Sequence, residues 1–429
     1  MTDHNAISPL RRWTALFLFT LVLGCNYLDR FLLSILLEPI KTDLAISDTQ
    51  AGLLTGAAFA LFYSAFAIPL ARLAERVNRV WVLAASLLLW SVATALCGAV
   101  TGFVTLLLAR MLVGVGEAGG IPPSHSMVAD LFAPTQRGGA MSILALGVAA
   151  GATLAPLIGG PLEAMVGWRL TFVILGAPGA LLALALAAFV REPPRGHSEG
   201  LVHHGAPAPL WATVLTLWRR RAFRNLVLGM ALLALCEYSL FLWLPTVFRR
   251  SFGLTGVELG AGLALFQGLP YAVATLAGGM ISDRLYRRDR RWAAWVPLIS
   301  ALVALPAVAA LSLASTPLLA FVLIVPPFLA SGLALGPCYA MIQSLAEVRS
   351  RATATAILLF AVNIVGGALG PLMIGMLSDA LTARFGEQAL RFAFLALTPL
   401  YLGGALAFFA VGRSLEAGLR EAAGDEGGG

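Results

Sequence analysis

Apolar residues in this chain come in continuous runs of about twenty, separated by short polar turns, almost from end to end. A helix rises ~1.5 Å per residue, so a run of that length crosses a hydrocarbon core of ~30 Å. The pattern predicts twelve such helices, over 13–37, 49–71, 80–100, 103–128, 138–160, 168–190, 222–247, 257–281, 292–313, 317–343, 352–377 and 389–411. The runs lack the alternation of period two that a membrane β-barrel needs. No polar stretch is long enough to fold as a soluble domain. The expected class is an all-α integral membrane protein with twelve transmembrane helices.

The one long polar connection divides the chain into an N-terminal six-helix bundle (1–192), a cytoplasmic linker (193–220), a C-terminal six-helix bundle (221–412) and a cytoplasmic tail (413–429). Pro193, Pro194, Pro207 and Pro209 break helices in the linker, and the acidic, glycine-rich tail is expected to be disordered. An internal repeat supports the division. A shift of 208 residues lays Ala71 on Gly279, Glu75 on Asp283, Arg76 on Arg284 and Arg79 on Arg287, and it lays Asp29 on Glu237. A parallel repeat of six-span halves predicts two bundles related by a pseudo-twofold axis along the membrane normal, with a site at their interface.

Composition sharpens this picture. Of 429 residues, 59% are hydrophobic and 12% charged, against about 25% charged in a soluble domain. The net charge is +7, and Lys41 is the only lysine. Twenty-one basic residues fall on the side that carries both termini and six on the other, which places both termini in the cytoplasm. The basic balance is therefore read as membrane orientation and not as nucleic-acid binding. Cys25, Cys97, Cys236 and Cys338 all lie in apolar spans without metal-ligand spacing, so no metal is expected. Val22-Leu23-Gly24-Cys25 resembles a lipoprotein cleavage box, but the apolar run continues to Leu37, which favours an uncleaved span.

Two basic residues, Arg30 and Arg110, lie inside spans, near Asp29 in span one and Glu117 in span four. A charge at the bilayer centre costs at least ~2.5 kcal/mol, so each needs a partner, water or a neutral form. Counting ~1.5 Å per residue from the outer surface puts Asp29 ~12 Å deep, Arg110 ~10 Å and Glu117 ~21 Å. Asp29 and Arg110 are thus level, with Glu117 two turns further along the same face. Asn26, Asp29, Arg30 and Leu33 form a stripe at i, i+3, i+4 and i+7. One reading is an ion-pair network that only holds spans one and four together. The other is a proton-coupled site. Desolvation favours the neutral form of a carboxyl and a neighbouring guanidinium the ionised form, so making and breaking that contact loads and releases a proton. Asp29 and Glu117 are the candidates for this role. Arg30 and Arg110 are candidates for an anionic head group, with Asn26 and Tyr27 beside them, because a guanidinium grips phosphate or carboxylate with two parallel hydrogen bonds. Glu237 is the acid well inside the second half, either packing or lining a cavity.

Gly114 to Gly119 fit G-x-G-x-x-G, but without a βαβ setting they are read as helix-packing glycines. Pro122 and Pro123 must break or kink the end of span four. No Walker, H-E-x-x-H or G-x-S-x-G motif occurs, and no nucleophile–base pair suggests a lipid acyltransferase, so neither an enzyme nor a cofactor is expected.

These residues resemble the major facilitator superfamily. Its loop pattern G-x-L-x-D-R-x-G-R is approached by Ala71, Leu73, Glu75, Arg76, Asn78 and Arg79, and more closely by Gly279, Asp283, Arg284 and Arg287. Arg110, Gly114 and Gly116 resemble its span-four pattern, and Gly147, Gly151, Pro156, Gly159 and Gly160 its span-five pattern. Asn26 to Arg30 and Arg110 to Ala118 are similar to the spinster-like branch. The resemblance implies a cytoplasmic gate at Glu75, Arg76, Arg79, Asp283, Arg284 and Arg287. It also implies a monomeric secondary transporter working by alternating access in a bacterial inner membrane, with protons, membrane lipids and a small-molecule or lipid substrate as partners. An amphipathic anion such as a lysophospholipid or sphingolipid-like molecule is the first expectation. A proton-coupled symporter of small aromatic or sugar acids is the second.

Overall fold

The computed structural model describes residues 8–195, 210–346 and 351–424, so linker residues 196–209 and tail residues 425–429 lie outside it. In chain order the helices are α1 (Pro9–Leu44), α2 (Asp48–Arg76), α3 (Arg79–Cys97), α4 (Phe103–Ala118), α5 (Ile121–Leu131), α6 (134–166), α7 (168–189), α8 (Leu210–Arg219), α9 (Arg221–Phe252), α10 (Gly256–Tyr286), α11 (Trp292–Leu311), α12 (Pro317–Ser344), α13 (351–385) and α14 (389–424). Among the described residues ten continuous helical stretches are long and apolar enough to cross a membrane. Two of them are double. Gly139–Phe189 is broken at Gly167, whose φ of +76° only glycine adopts readily, and Thr353–Leu419 is interrupted at Gly386, with φ +56°. Ten stretches with two such breaks match the twelve predicted spans.

Three local outcomes differ from the sequence reading. The tail expected to be disordered is helical as far as Gly424, as a continuation of α14, because its Leu, Glu, Ala and Arg residues are good helix formers. α1 continues seven residues past the expected end at Leu37, to Leu44, because the apolar window marks hydrocarbon and not helix. Within the expected linker, the stretch after Pro209 forms α8, with Leu217 buried and Leu215 and Trp218 exposed. A period of three to four among its apolar residues suffices for a helix once the prolines end. The span-four break occurs as expected: α4 stops at Ala118, and α5 restarts with Pro122 and Pro123 in its first turn, where a missing N–H costs nothing.

The chain forms two compact units. Unit 1 comprises residues 1–46, 58–204 and 255–260, and unit 2 comprises 47–57, 205–254 and 261–429. They depart from the two sequence halves in two short segments, 47–57 and 255–260, whose starting residues are related by the 208-residue repeat. Both segments open on the same reciprocal cap: Ser47 with Gln50, and Thr255 with Glu258. In unit 1, α1 and α3 pack against the 134–189 stretch, and α4 packs on α2 and α3. In unit 2, α12 packs on α10 and α11, and α14 on α9 and α11. Among the described residues three helices contain a wide π turn: Leu53–Ala57 in α2, Ala264–Gly268 in α10 and Val362–Leu369 in α13.

The start of α2 is fixed within unit 2 by charge. Asp48, 1% exposed, meets Arg250 through two parallel hydrogen bonds of 2.7 and 2.8 Å and accepts a third from Ser378 Oγ at 2.6 Å. The Asp379 carboxylate accepts from the Asp48 N–H at 3.0 Å, the Thr49 N–H at 2.7 Å and Thr49 Oγ1 at 2.6 Å. A carboxylate from a neighbouring helix thus satisfies the orphan donors of a helix N-terminus. Removing one partner of a buried pair strands the other, at about 3–5 kcal/mol. Arg250→Ala should therefore lower unfolding stability by about that amount in detergent titrations, and an unchanged midpoint would assign the pair no structural weight.

Candidate functional site

Four charged side chains from α1 and α4 meet inside unit 1. Asp29, Arg30, Arg110 and Glu117 are all buried, with exposures from 0 to 6%. They are brought together by the span-four glycines. Gly114 lies against the backbone of Phe59 in α2, and Gly116 against Trp90 in α3; a Cβ at either would come within 2.8 Å of those neighbours. α2 and α3 can therefore close on α4 directly beside its charges.

Arg30 is the engaged arginine. Its Nη2 reaches Glu117 Oε2 at 3.0 Å and Asn26 Oδ1 at 3.4 Å. Its guanidinium also lies over the rings of Phe59 (4.6 Å), Tyr27 (4.9 Å) and Tyr63 (5.2 Å). Phe59 and Tyr63 are themselves stacked at 5.6 Å. Aromatic faces and a carboxylate together offset the cost of burying this charge. Asp29 accepts a hydrogen bond from Thr94 Oγ1 at 3.3 Å and has Arg110 and Glu117 as its charged neighbours.

Arg110 is different. It is 1% exposed, and none of its three guanidinium nitrogens makes a hydrogen bond among the described residues. Its contact is the Phe59 ring, 5.5 Å from the guanidinium carbon. The sequence reading placed Arg110 level with Asp29, and the two are electrostatic neighbours, but the ion pair to Glu117 is made by Arg30. Phe59, Tyr63 and Thr94 belong to the site and carried no signal in sequence, since an aromatic pair in an apolar span looks like core.

The expected cytoplasmic gate residues do not act alike. Arg79 is buried and held inside unit 1 by Glu192 (2.9 Å), Ser126 (2.8 Å), Asp130 (2.5 Å) and the Pro193 carbonyl (2.8 Å). It clamps the chain after α7 to α5, beside a cavity of about 290 Å³ lined in part by Glu75, Pro122 and Arg195. Glu75, Arg76, Arg284 and Arg287 are exposed, and the side chain of Asp283 lies outside the description. Glu237 lies in unit 2, where Tyr271 and Ser331 hydrogen-bond to it. Among the described residues no group of three or more metal-ligating side chains occurs.

A family profile described as Major Facilitator Superfamily matches residues 19–371. An "MFS-type efflux pump" of Mycolicibacterium smegmatis is 36% identical over 413 residues, covering 95% of this chain and 94% of the relative. Human "Protein spinster homolog 1" is 33% identical over 234 residues, covering 53% of this chain and 44% of that protein. Among solved structures, a bacterial homolog of the human lysosomal transporter Spinster, inward-facing and unoccupied, aligns with a TM-score of 0.85 and 30% identity, covering 96% of this chain and 99% of the other.

The two arginines should respond differently to removal. Arg30→Met strands Glu117 in an apolar interior and should cost about 3–5 kcal/mol. Arg110→Met loses no hydrogen bond, and replacing a poorly paired buried ion by an apolar group of similar size is often neutral or stabilising. Melting curves of the ligand-free variants compare them; a larger loss for Arg110→Met would contradict the geometry.

Proposed function

The chain belongs to the Major Facilitator Superfamily, in its spinster-like branch, and from that premise we propose that this multi-pass membrane transporter is a proton-coupled carrier of an amphipathic anion, such as a lysophospholipid or sphingolipid-like molecule. The observation that carries the reading is Arg110: a buried guanidinium whose donors have no acceptor among the described residues, walled by an aromatic ring. An anionic head group supplies the missing acceptors, and a bidentate phosphate or carboxylate fits the guanidinium fork.

Charge balance supplies the coupling. With both acids ionised, Asp29, Glu117, Arg30 and Arg110 sum to zero. A monoanion arriving at Arg110 leaves an uncompensated negative charge in a low-dielectric site. One proton on a carboxyl removes it. Anion binding and protonation therefore favour each other, which is the thermodynamic content of coupling. Asp29 is the better carrier, since Glu117 is held in an ion pair by Arg30 at 3.0 Å, while Asp29 makes no ion pair among the described residues and accepts a 3.3 Å hydrogen bond from Thr94. The carrier works by alternating access as a monomer in a bacterial inner membrane, with both termini cytoplasmic, the orientation the arginine bias favours.

Proteoliposome flux tests this. Lysolipid transport should rise when a pH gradient is imposed. Asp29→Asn, which imitates the protonated acid, should still bind lysolipid and lose gradient-driven accumulation. Arg110→Lys keeps the charge without the fork, and apparent affinity should fall at least about tenfold, ~1.4 kcal/mol. Flux confined to small aromatic or sugar acids would move the substrate to the symporter reading. Flux indifferent to the gradient in the wild type would remove the proton.

A further inference from the structure

The anion reading leaves unit 2 unused, yet unit 2 holds its own polar cluster in helices of membrane-spanning length. Three helices each place a polar and an aromatic residue about one turn apart on one face: Glu237 and Phe241 on α9, Gln267 and Tyr271 on α10, Ser331 and Phe328 on α12. They converge. Glu237 accepts hydrogen bonds from Tyr271 and Ser331. The Phe241 ring meets Tyr271 edge-on at 5.6 Å and Phe328 edge-on at 4.7 Å. Gln267 is 5% exposed, and its Oε1 has no hydrogen-bond donor among the described residues.

The chemistry of this cluster is the inverse of that around Arg110. No arginine, lysine or histidine among the described residues is ion-paired to Glu237. Its partners are hydroxyls, which solvate a carboxylate without neutralising it. Glu237 is partly exposed, while Gln267 offers a carbonyl oxygen with no donor among the described residues. An acid without a counter-charge at membrane depth marks a functional site. Glu237 meets Tyr271, the Tyr271 and Phe328 rings pack on Phe241, and the unsatisfied Gln267 amide oxygen stands one turn before Tyr271, so this part of unit 2 is rich in acceptors and aromatic rings. The complement is a group with positive charge, several N–H donors and an apolar stem.

We propose that Glu237, Gln267 and Tyr271 form a binding site in unit 2 for a primary alkylammonium group. The ammonium donates to the Glu237 carboxylate and to Gln267 Oε1, and its stem packs along Phe241 and Phe328. The site stands on unit 2 alone and is independent of the anion reading.

The full chain in lipid nanodiscs, titrated with octylamine and with octanol, tests it, empty nanodiscs correcting for partition. The two probes share a chain and differ in the head group. Octylammonium should bind at least tenfold more tightly than octanol, and Glu237→Gln should abolish that preference. If Glu237→Gln does not fold, Gln267→Leu and Tyr271→Phe leave the carboxylate in place and should each reduce the preference several-fold. Equal binding of amine and alcohol by the wild type overturns the proposal. So does a preference that survives Glu237→Gln, or that is unchanged in both of the milder variants. Octanoate, measured alongside, reports the Arg110 site, so failure of one site leaves the other readable.

Discussion

A charge inside hydrocarbon has no water to fall back on, and the arrangement of unit 1 follows from that. Arg30 and Glu117 lie 3.0 Å apart, and each makes the other tolerable. Everything near them serves the same end. Tyr27, Phe59 and Tyr63 present ring faces to the guanidinium, and Asn26 supplies an amide oxygen. Gly114 and Gly116 remove the side chains that would hold α2 and α3 away. The pair is structural, and that frees the second arginine. Arg110 has an aromatic wall but no acceptor among the described residues, and a buried donor without a partner is rare enough in folded proteins to need an explanation.

That Asp29, Arg30, Arg110 and Glu117 lie inside apolar spans one and four was legible in the sequence, and azimuth was not. Which arginine meets which acid depends on rotation about each helix axis and on rotamers several bonds long. Hence Glu117 is paired with Arg30 and not with Arg110. Phe59 and Tyr63 were silent for another reason: in an apolar span an aromatic ring is the commonest filler. Gln267 was equally silent, an uncharged residue in a stretch whose charges drew attention. The twelve spans survived because hydrophobic runs report hydrocarbon directly, whereas the ends of α1 and the helical character of α8 lie outside what such runs measure.

The repeat-related loop residues separate in role despite their similarity in sequence. Arg79 is enclosed by two carboxylates, a hydroxyl and a carbonyl. Arg287, its counterpart at the 208-residue shift, is exposed. A guanidinium with four partners on α5 and on the chain leaving α7 fixes where the connection between the halves begins. Sequence similarity across the repeat therefore preserves residue type without preserving the contacts that residue makes.

The wide turns in α2 and α10 bear on mechanics. In α2 the passage from unit 2 to unit 1 falls between Ala57 and Ala58, at the end of the π turn Leu53–Ala57. In α10 the passage falls at Gly260, four residues before the π turn Ala264–Gly268. Sharp bends in helices concentrate at such turns, where the regular ladder of hydrogen bonds is interrupted. In α2 the π turn therefore sits where the chain passes from one unit to the other, and in α10 it lies just inside unit 2. The stretch of α2 that lays Phe59 and Tyr63 against Arg30 and the stretch that begins at Asp48 are thus separated by a turn at which the helix's hydrogen-bond ladder is interrupted.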